Sequence, residues 1–319
     1  MRHKRRYTFR RRLGNKIHHP TRLHRIFTSS QYGGRKKTVK GQHCSPAQEG
    51  SFTCYTLDSL LKIAKAWNKK HPQDKIALVN SQPLLWERID RKMKGTCRTE
   101  KCWMEQNFVK EMKNTSIKKN FRHKIPRDWK GDQFQWLSTT DIEQVLKQYE
   151  DKYPHFSLIG PVPLDFDSPF SKDKDDGCVS DELCHIDLSR LHKKNIHHLG
   201  VVFNMDPHDE PGSHWVALFA DFIRGEITYY DSYGLNPPSE ITQLIQRLQD
   251  QSQKMGKKLS YHCNRNRHQF KHSECGVYCI YFISQCLQGM RGKDVCNSRL
   301  SDDFIHQKRS VFYRERKPE

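Results

Sequence analysis

The sequence predicts an α+β protein with a basic N-terminal arm, a small helical domain and a larger domain of strands and helices. Three observations lead to this prediction. Basic residues are concentrated at the N-terminus, helical periodicity begins after residue 53, and two apolar runs joined by a short turn follow at residues 214–231. A chain of 319 residues is long enough to bury a core in both folded parts.

The predicted arm comprises residues 1–48. It contains fourteen Lys and Arg residues and no Asp or Glu, because the first acidic residue is Glu49. These residues account for most of the formal net charge of +20. The arm shows no apolar periodicity, so we expect it to be disordered. We expect it to bind nucleic acid through counterion release, or alternatively to serve as a solubilising leader.

Residues 49–130 are predicted to form a helical accessory domain that ends in a basic linker. Apolar residues at helical spacing from Leu57 to Trp67 predict a first helix, which His71-Pro72 would end. Further helices are predicted at residues 83–95 and 103–112.

Residues 131–319 are predicted to form the main domain. Thr140 and Glu143 have the spacing of a capping box and would begin its first helix. A buried strand is expected at residues 199–205, followed by a hairpin that runs from His214 to Asp231 and turns near Arg224-Gly225. Later elements are predicted as a helix from residue 239, a strand at 259–263 and helices at 275–287 and 299–312.

The eleven cysteines occur in a chain that lacks an apolar leader, which favours a reducing compartment and free thiols. Cys97 with Cys102, and Cys178 with Cys184 and His185, are candidate metal ligands, but their spacing favours buried structural thiols. We therefore predict no metal and no organic cofactor. No apolar run approaches the roughly 18 residues that a membrane span needs, so no membrane insertion is expected.

Five residues together suggest a cysteine protease. Cys275 begins an apolar helix, where the helix dipole favours a thiolate, and Gly276 would leave room for a substrate backbone. His214 and Asp231 lie at the two ends of one hairpin and are candidates for the base and for the group that orients it. Gln269 would join the Cys275 N–H as an oxyanion donor. We expect Cys275 to be exposed.

The pattern resembles the signature of the SUMO-specific and adenovirus endopeptidase superfamily of cysteine proteases. Trp215 follows His214 directly, and Asp231 lies seventeen residues after His214. Gln269 lies six residues before Cys275. The segment 136–142 resembles the one that opens the cellular members, with Ser138 and Thr139 in place of a polar pair. Within the superfamily, residues 213–219, 234–238 and 274–276 are most similar to the branch of large cytoplasmic DNA viruses. The African swine fever virus polyprotein-processing protease is an example of that branch.

This resemblance implies a papain-like fold, with a central mixed sheet flanked by helices and a small N-terminal helical domain. It also implies cleavage of viral structural precursor proteins after Gly-Gly, through an acyl-thioester on Cys275, with Trp215 clamping a narrow glycine channel. The expected location is the virion and the host cytoplasm, with the nucleus as an alternative.

Three other functions remain open from the sequence. A protease that deconjugates host SUMO or ubiquitin-like proteins would share the same catalytic residues. An acetyltransferase on the same fold would use a similar His, acid and Cys. A non-enzymatic, nucleic-acid-binding virion component would keep only the fold.

Overall fold

The computed structural model describes residues 44–48, 51–112, 115–126, 129, 132, 134–169 and 177–314. In these ranges the α-helices are α1 (Leu57–Lys70), α2 (Gln82–Met93), α3 (Glu100–Glu105), α4 (Asn107–Lys110), α5 (Thr139–Lys152), α6 (Asp181–Cys184), α7 (Leu188–Lys193), α8 (Ser239–Lys254), α9 (Cys275–Leu287), α10 (Gly292–Asn297) and α11 (Asp302–Phe312). The strands are β1 (His123–Lys124), β2 (Phe156–Pro163), β3 (His198–Asn204), β4 (Trp215–Asp221), β5 (Glu226–Tyr230), β6 (Ser260–Cys263) and β7 (Tyr313–Arg314). Short 3-10 helices cover Pro46–Gln48 and Thr115–Asn120.

A mixed five-stranded sheet organises the larger part of the molecule, in the order β2-β3-β4-β5-β6. The central pairs β3–β4 and β4–β5 are antiparallel, whereas β2–β3 and β5–β6 are parallel. The predicted α+β class with a mixed sheet and flanking helices is confirmed. The predicted hairpin is β4 and β5, and the apolar helix predicted at residues 275–287 is α9.

The sheet separates two hydrophobic cores, because successive side chains of a strand point to opposite faces. In β4, Ala217 and Phe219 belong to the core shared with α5, α9, α10 and α11. Val216, Leu218 and Ala220 belong to the core on the other face, where α8 packs. All seven residues of β4 are buried, as expected for a central strand covered on both sides.

Strand β2 was not predicted from the sequence. It contains Gly160, Pro161 and Pro163, and proline cannot donate a hydrogen bond to a neighbouring strand. It nevertheless forms because it is the edge strand of the sheet and pairs only with β3, with an irregularity between Ile159 and Val162. An edge position tolerates the residues that made this segment look unlike a strand.

The helical part of the chain has a hydrophobic core of its own, formed mainly by residues of α1 to α4 and the segment around Tyr55. Tyr55 stacks on Trp103 with ring centroids 5.7 Å apart, and its hydroxyl donates a hydrogen bond to the Glu100 carbonyl. The helix predicted at residues 103–112 is instead two short helices, α3 and α4, which meet at Gln106 in an extended conformation.

Several contacts join this helical part to the sheet domain. Strand β1 pairs in parallel with β7 near the C-terminus, and Gln148 of α5 donates hydrogen bonds of 2.8 Å to the carbonyls of Lys119 and Phe121. The predicted boundary between an accessory domain at 49–130 and a catalytic domain at 131–319 stays a prediction.

The prediction that residues 1–48 form a disordered arm was wrong for residues 44–48, at the C-terminal end of the arm. Residues 44–48 pack against α5, and the backbone N–H of Ser45 donates to the carbonyl of Asn120. Cys44 is also bonded to Cys54, which ties this segment to the start of the helical part. The rest of the predicted arm, residues 1–43, lies outside the described residues.

The expectation of free thiols was wrong for six of the cysteines. Cys44–Cys54, Cys97–Cys102 and Cys178–Cys184 form disulfides, with Cα atoms 4.8, 5.5 and 6.3 Å apart. These separations lie within the range that a disulfide spans, which composition alone does not reveal. The ligand atoms of Cys178, Cys184 and His185 lie within 4.8 Å of one another, but the bonded sulfurs are not the thiolates that zinc prefers.

The capping box was predicted at Thr140 and Glu143, which is two residues C-terminal to its actual position. Ser138 is the N-cap of α5: its hydroxyl accepts from the Asp141 N–H, and the Asp141 carboxylate accepts from the Ser138 N–H at 2.9 Å. Both pairs have the same residue spacing, so the pattern alone did not distinguish them. Among the helices that the structure describes, none has the length and apolar composition of a membrane span.

Candidate active site

The β4–β5 hairpin brings the predicted histidine and acid together. Ala217 pairs with Tyr230 in the antiparallel register, and the same register continued past both strands sets His214 opposite Tyr233. Asp231 is then the diagonal neighbour of His214 across the hairpin, within reach of a long side chain. The predicted pairing of His214 with Asp231 therefore follows from the strand register.

His214 and Asp231 form an ion pair that is nearly closed to solvent. Nε2 of His214 lies 2.7 Å from Oδ1 of Asp231, and the two side chains are 12% and 1% exposed. Burial lowers the pKa of His214, but the hydrogen bond to Asp231 and the nearby Cys275 side chain outweigh burial and raise this pKa to about 9. His214 is therefore protonated at neutral pH, and its second ring nitrogen, Nδ1, remains for proton exchange with the nucleophile.

The predicted nucleophile, Cys275, is the first residue of α9. Eleven of the 13 residues of this helix are buried, so the protein core fixes its position on all sides. The unpaired N–H groups of its first turn and the positive end of the helix dipole meet at Cys275. The expectation that Cys275 is exposed was wrong, since only 2% of its surface is accessible.

The predicted oxyanion donor, Gln269, is completely buried. The Ser232 hydroxyl donates to its Oε1 at 2.7 Å. At the other end, Nε2 donates to the Lys271 carbonyl at 2.6 Å and lies 3.4 Å from the Tyr233 hydroxyl. The contact with Tyr233 is long for a hydrogen bond, so this second N–H is the one that an oxyanion would recruit.

Asp302, a residue that the sequence analysis did not single out, holds the loop that carries Gln269. Its Oδ2 accepts hydrogen bonds from the backbone N–H groups of Phe270 and Lys271 at 2.9 and 3.0 Å. Its Oδ1 accepts from the Tyr278 hydroxyl of α9 at 3.2 Å. The carboxylate thus links the oxyanion loop to the helix that begins with Cys275.

Tyr233 was also missed, although it contacts most of the catalytic residues. Its ring stacks on His214 with centroids 4.7 Å apart, and its backbone N–H donates to Oδ1 of Asp231 at 2.9 Å. Burial and the nearby Cys275 raise the pKa of its hydroxyl. The signal available in the sequence was its position two residues after Asp231, which places it opposite His214 once the hairpin register is known.

The predicted substrate-binding residues, Trp215 and Gly276, both lie next to the segment that opens α5. The Trp215 indole N–H donates to the Leu137 carbonyl at 3.0 Å. A Cβ atom added to Gly276 would lie 3.1 Å from side-chain atoms of Leu137 and Ile142, so glycine allows the start of α9 to approach this segment closely. The substrate contacts of Trp215 and Gly276 stay predictions.

Glu274, which precedes the nucleophile, is anchored to α11. Its side chain is 1% exposed, and its carboxylate accepts from Nε of Arg309 at 2.8 Å and from Nδ1 of His306 at 2.9 Å. A buried carboxylate needs such partners, because removing a charge from water is costly. This network fixes the backbone directly before Cys275.

Comparisons with known proteins identify the family of this chain. The model of the Ulp1 protease family, C-terminal catalytic domain, matches residues 190–316, which contain the four predicted catalytic residues. A putative thiol protease of Acanthamoeba polyphaga mimivirus is 32% identical over 296 residues, covering 85% of this chain and 93% of the viral protein. A cysteine protease of African swine fever virus is 25% identical over 229 residues, covering 68% and 83% of the two chains.

A crystal structure of the African swine fever virus protease shares the fold, with a TM-score of 0.56 and 19% sequence identity over 86% of this chain and 96% of the viral one. The relatives are named as proteases, which gives no support to the acetyltransferase and non-enzymatic alternatives. The extent of the match to the mimivirus protein shows that this chain is a thiol protease and belongs to the Ulp1 protease family.

Proposed function

We propose that this thiol protease cleaves structural precursor proteins of a large cytoplasmic DNA virus after Gly-Gly pairs, in the virion and the host cytoplasm, with the nucleus as an alternative location. The observation that carries the specificity is the burial of the nucleophile, since Cys275 is 2% exposed. A substrate backbone that must approach so enclosed a sulfur is best made of residues without Cβ atoms. Similarity to proteases of two large DNA viruses supports a viral precursor as the substrate.

The proposed reaction begins with a thiolate on Cys275 and a proton on His214. The sulfur attacks the carbonyl carbon of the second glycine, and the oxyanion accepts from the Cys275 N–H and from Nε2 of Gln269. When the C–N bond breaks, His214 gives its proton to the leaving amine, which leaves an acyl-thioester. A water molecule then returns a proton to His214 as its oxygen attacks the thioester, and the C–S bond breaks to release the acid. Asp231 orients the His214 ring throughout and stabilises it whenever it is protonated.

The experiment compares three matched peptides that contain Gly-Gly, Gly-Ala or Ala-Gly before the same following residues. We expect cleavage after Gly-Gly only, because an alanine Cβ would collide with the walls of the narrow site. Purified candidate precursors incubated with the enzyme, with products identified by N-terminal sequencing, then test the substrate class. Comparable kcat/KM values for the alanine peptides would contradict the proposed specificity.

A second candidate is deconjugation of a folded ubiquitin-like protein. A relative from African swine fever virus, 24% identical over 229 residues, is named SUMO-1 cysteine protease. Against this candidate, Ser138 replaces part of the polar pair of the cellular members, and its side chain is used to cap α5. A panel of ubiquitin-like fusions separates the two: faster cleavage of a fusion than of its own C-terminal peptide would favour deconjugation.

We also propose that the N-terminal arm binds nucleic acid without sequence preference. The support is the absence of acidic residues before Glu49 among fourteen basic ones. Because Cys44 is bonded to Cys54, a suitable truncation removes residues 1–43 and leaves that disulfide intact. We expect the truncated protein to bind DNA more weakly and with less salt dependence than the full chain, and unchanged binding would contradict this role.

A further inference from the structure

A cavity lies at the opposite end of the β4–β5 hairpin from His214 and Asp231. Its volume is about 430 Å³, within the usual range for small-ligand sites. Its walls are the end of α7 and the residues that follow it, the turn between β4 and β5, and the connection from α8 to β6. β4 has seven residues, so the cavity lies roughly 20 Å from the catalytic residues.

The lining of this cavity is basic. Five of its nine lining residues are Lys, Arg or His, and none is acidic: His192, His197, Arg224, Lys257 and Lys258. A cleft lined by charges of one sign concentrates the electrostatic field and attracts ligands of the opposite sign. The cavity is therefore suited to an anion.

The neighbouring acidic side chain, Asp221, offsets the charge of Arg224 but not the charges of the two lysines. Asp221 is 6% exposed, and its Oδ1 accepts from the backbone N–H groups of Ile223 and Arg224 at 3.0 and 2.9 Å. Its Oδ2 pairs with the Arg224 side chain at 3.2 Å. In the part of the chain that the structure describes, Lys257 and Lys258 take part in no ion pair of 4.0 Å or less. Their charges are therefore available to a ligand.

The two backbone segments that carry Arg224 and the lysines are held against each other. Gly225 has a φ of +65°, and a Cβ atom there would lie 2.5 Å from the Lys258 carbonyl oxygen. The Ser260 N–H donates to the Gly225 carbonyl at 2.8 Å, and Arg224 donates a hydrogen bond to the Gly289 carbonyl at 3.1 Å. The two loops that carry Arg224 and the lysines therefore contact each other directly, which fixes the backbone positions of these residues.

We propose that this cavity binds a phosphate-bearing anion, with Lys257 and Lys258 as its main electrostatic partners and Arg224, His192 and His197 at its wall. Phosphate is the anion class that best matches several converging Lys and Arg donors. The phosphates come either from a compact polyphosphate or from a nucleic-acid backbone. This site is distinct from the N-terminal arm and does not depend on the proposed substrate specificity.

The first test measures acylation of lysine side chains in the full chain by mass spectrometry, with and without sodium tripolyphosphate. Lys65 and Lys69, which are exposed on α1, are internal references in the same molecule. We expect tripolyphosphate to slow the labelling of Lys257 and Lys258 by roughly fivefold or more at saturation, and that of the references little. If tripolyphosphate slowed the acylation of the cavity lysines and of the reference lysines equally, or slowed neither, the proposal would be overturned.

The second test compares two variants of equal net charge, Lys257→Glu/Lys258→Glu and the control Lys65→Glu/Lys69→Glu. We expect the cavity variant to bind tripolyphosphate on the order of tenfold more weakly than wild type by equilibrium dialysis, and the control to bind like wild type. Both variants should keep wild-type peptidase activity, which shows that they fold. Equal weakening in both would mean diffuse attraction to a basic protein and would overturn the site.

A further labelling experiment replaces tripolyphosphate with a ten-nucleotide single-stranded DNA at the same phosphate concentration. Stronger protection of Lys257 and Lys258 by the DNA supports a nucleic-acid backbone as the ligand. Protection by tripolyphosphate alone supports a compact polyphosphate. Protection by neither probe contradicts phosphate binding in this cavity.

Discussion

The interactions of His214 with Asp231 and Cys275 make the stability of the protein depend on pH. The pKa of His214 rises from 6.5 to about 9 in the folded protein. One pKa unit corresponds to about 1.4 kcal/mol, so the folded state gains about 3 kcal/mol from protonated His214. Only 12% of the side chain is exposed, so solvent screens this contribution little.

The raised pKa determines the direction of the effect. His214 binds its proton more tightly in the folded than in the unfolded chain, so its contribution is complete below pH 6.5. The contribution is lost as pH rises through about 9. Replacing His214 with glutamine removes the titrating group while keeping a hydrogen-bond donor for Asp231.

The assay measures the free energy of unfolding by urea titration at pH 6 and pH 10 for wild type and His214→Gln. We expect wild type to lose about 3 kcal/mol more than the variant between these pH values. His185→Gln, at a histidine whose side chain is 67% exposed, serves as the matched control and should behave like wild type. Equal pH dependence in wild type and His214→Gln would refute the raised pKa.

Four further predictions concern the catalytic residues and the arm. Cys275→Ala should abolish peptide cleavage and lower the free energy of unfolding by only about 1 kcal/mol, because one buried sulfur is lost; residual cleavage would exclude Cys275 as nucleophile. Asp231→Asn should reduce kcat less than His214→Ala does, since an amide still accepts a hydrogen bond from the imidazole; equal losses would show that the charge is essential. Tyr233→Phe should keep kcat close to that of wild type because the ring still stacks on His214. Tyr233→Ala should lower kcat by roughly tenfold or more. Similar kcat values for the two variants would argue that the stacking of Tyr233 on His214 does not contribute to catalysis. Wild type, but not Cys275→Ala, should cut itself after Gly34 of the Gly33-Gly34 pair, as read by mass spectrometry; an uncut arm would leave that pair as a flexible joint.

The His214–Asp231 pair and the helix that begins at Cys275 were predictable because local patterns encode them. The uninterrupted apolar run of β4 and the turn at Arg224-Gly225 define a hairpin, and the hairpin places His214 near Asp231. The apolar run after Cys275 likewise defines α9. In each case the sequence pattern and the final packing favour the same conformation.

The features that were missed depend on contacts between distant segments. The orientation of Gln269 depends on Ser232, and the position of its loop depends on Asp302, neither of which a local pattern reveals. Disulfide pairing depends on Cα separations in the folded chain. The stack of Tyr233 on His214 appears only once the strand register is known.

The buried carboxylate of Glu274 has a consequence for how this protein can vary among relatives. Removing one partner of a buried ion pair typically costs about 3–5 kcal/mol, whereas replacing the whole group with apolar residues is often neutral. The acid before the nucleophile and its partners on α11, Arg309 and His306, should therefore change together or not at all. An alignment of relatives should show Glu274 and Arg309 as a covarying pair separated by 35 positions, which makes α11 a part of the active-site sequence signature.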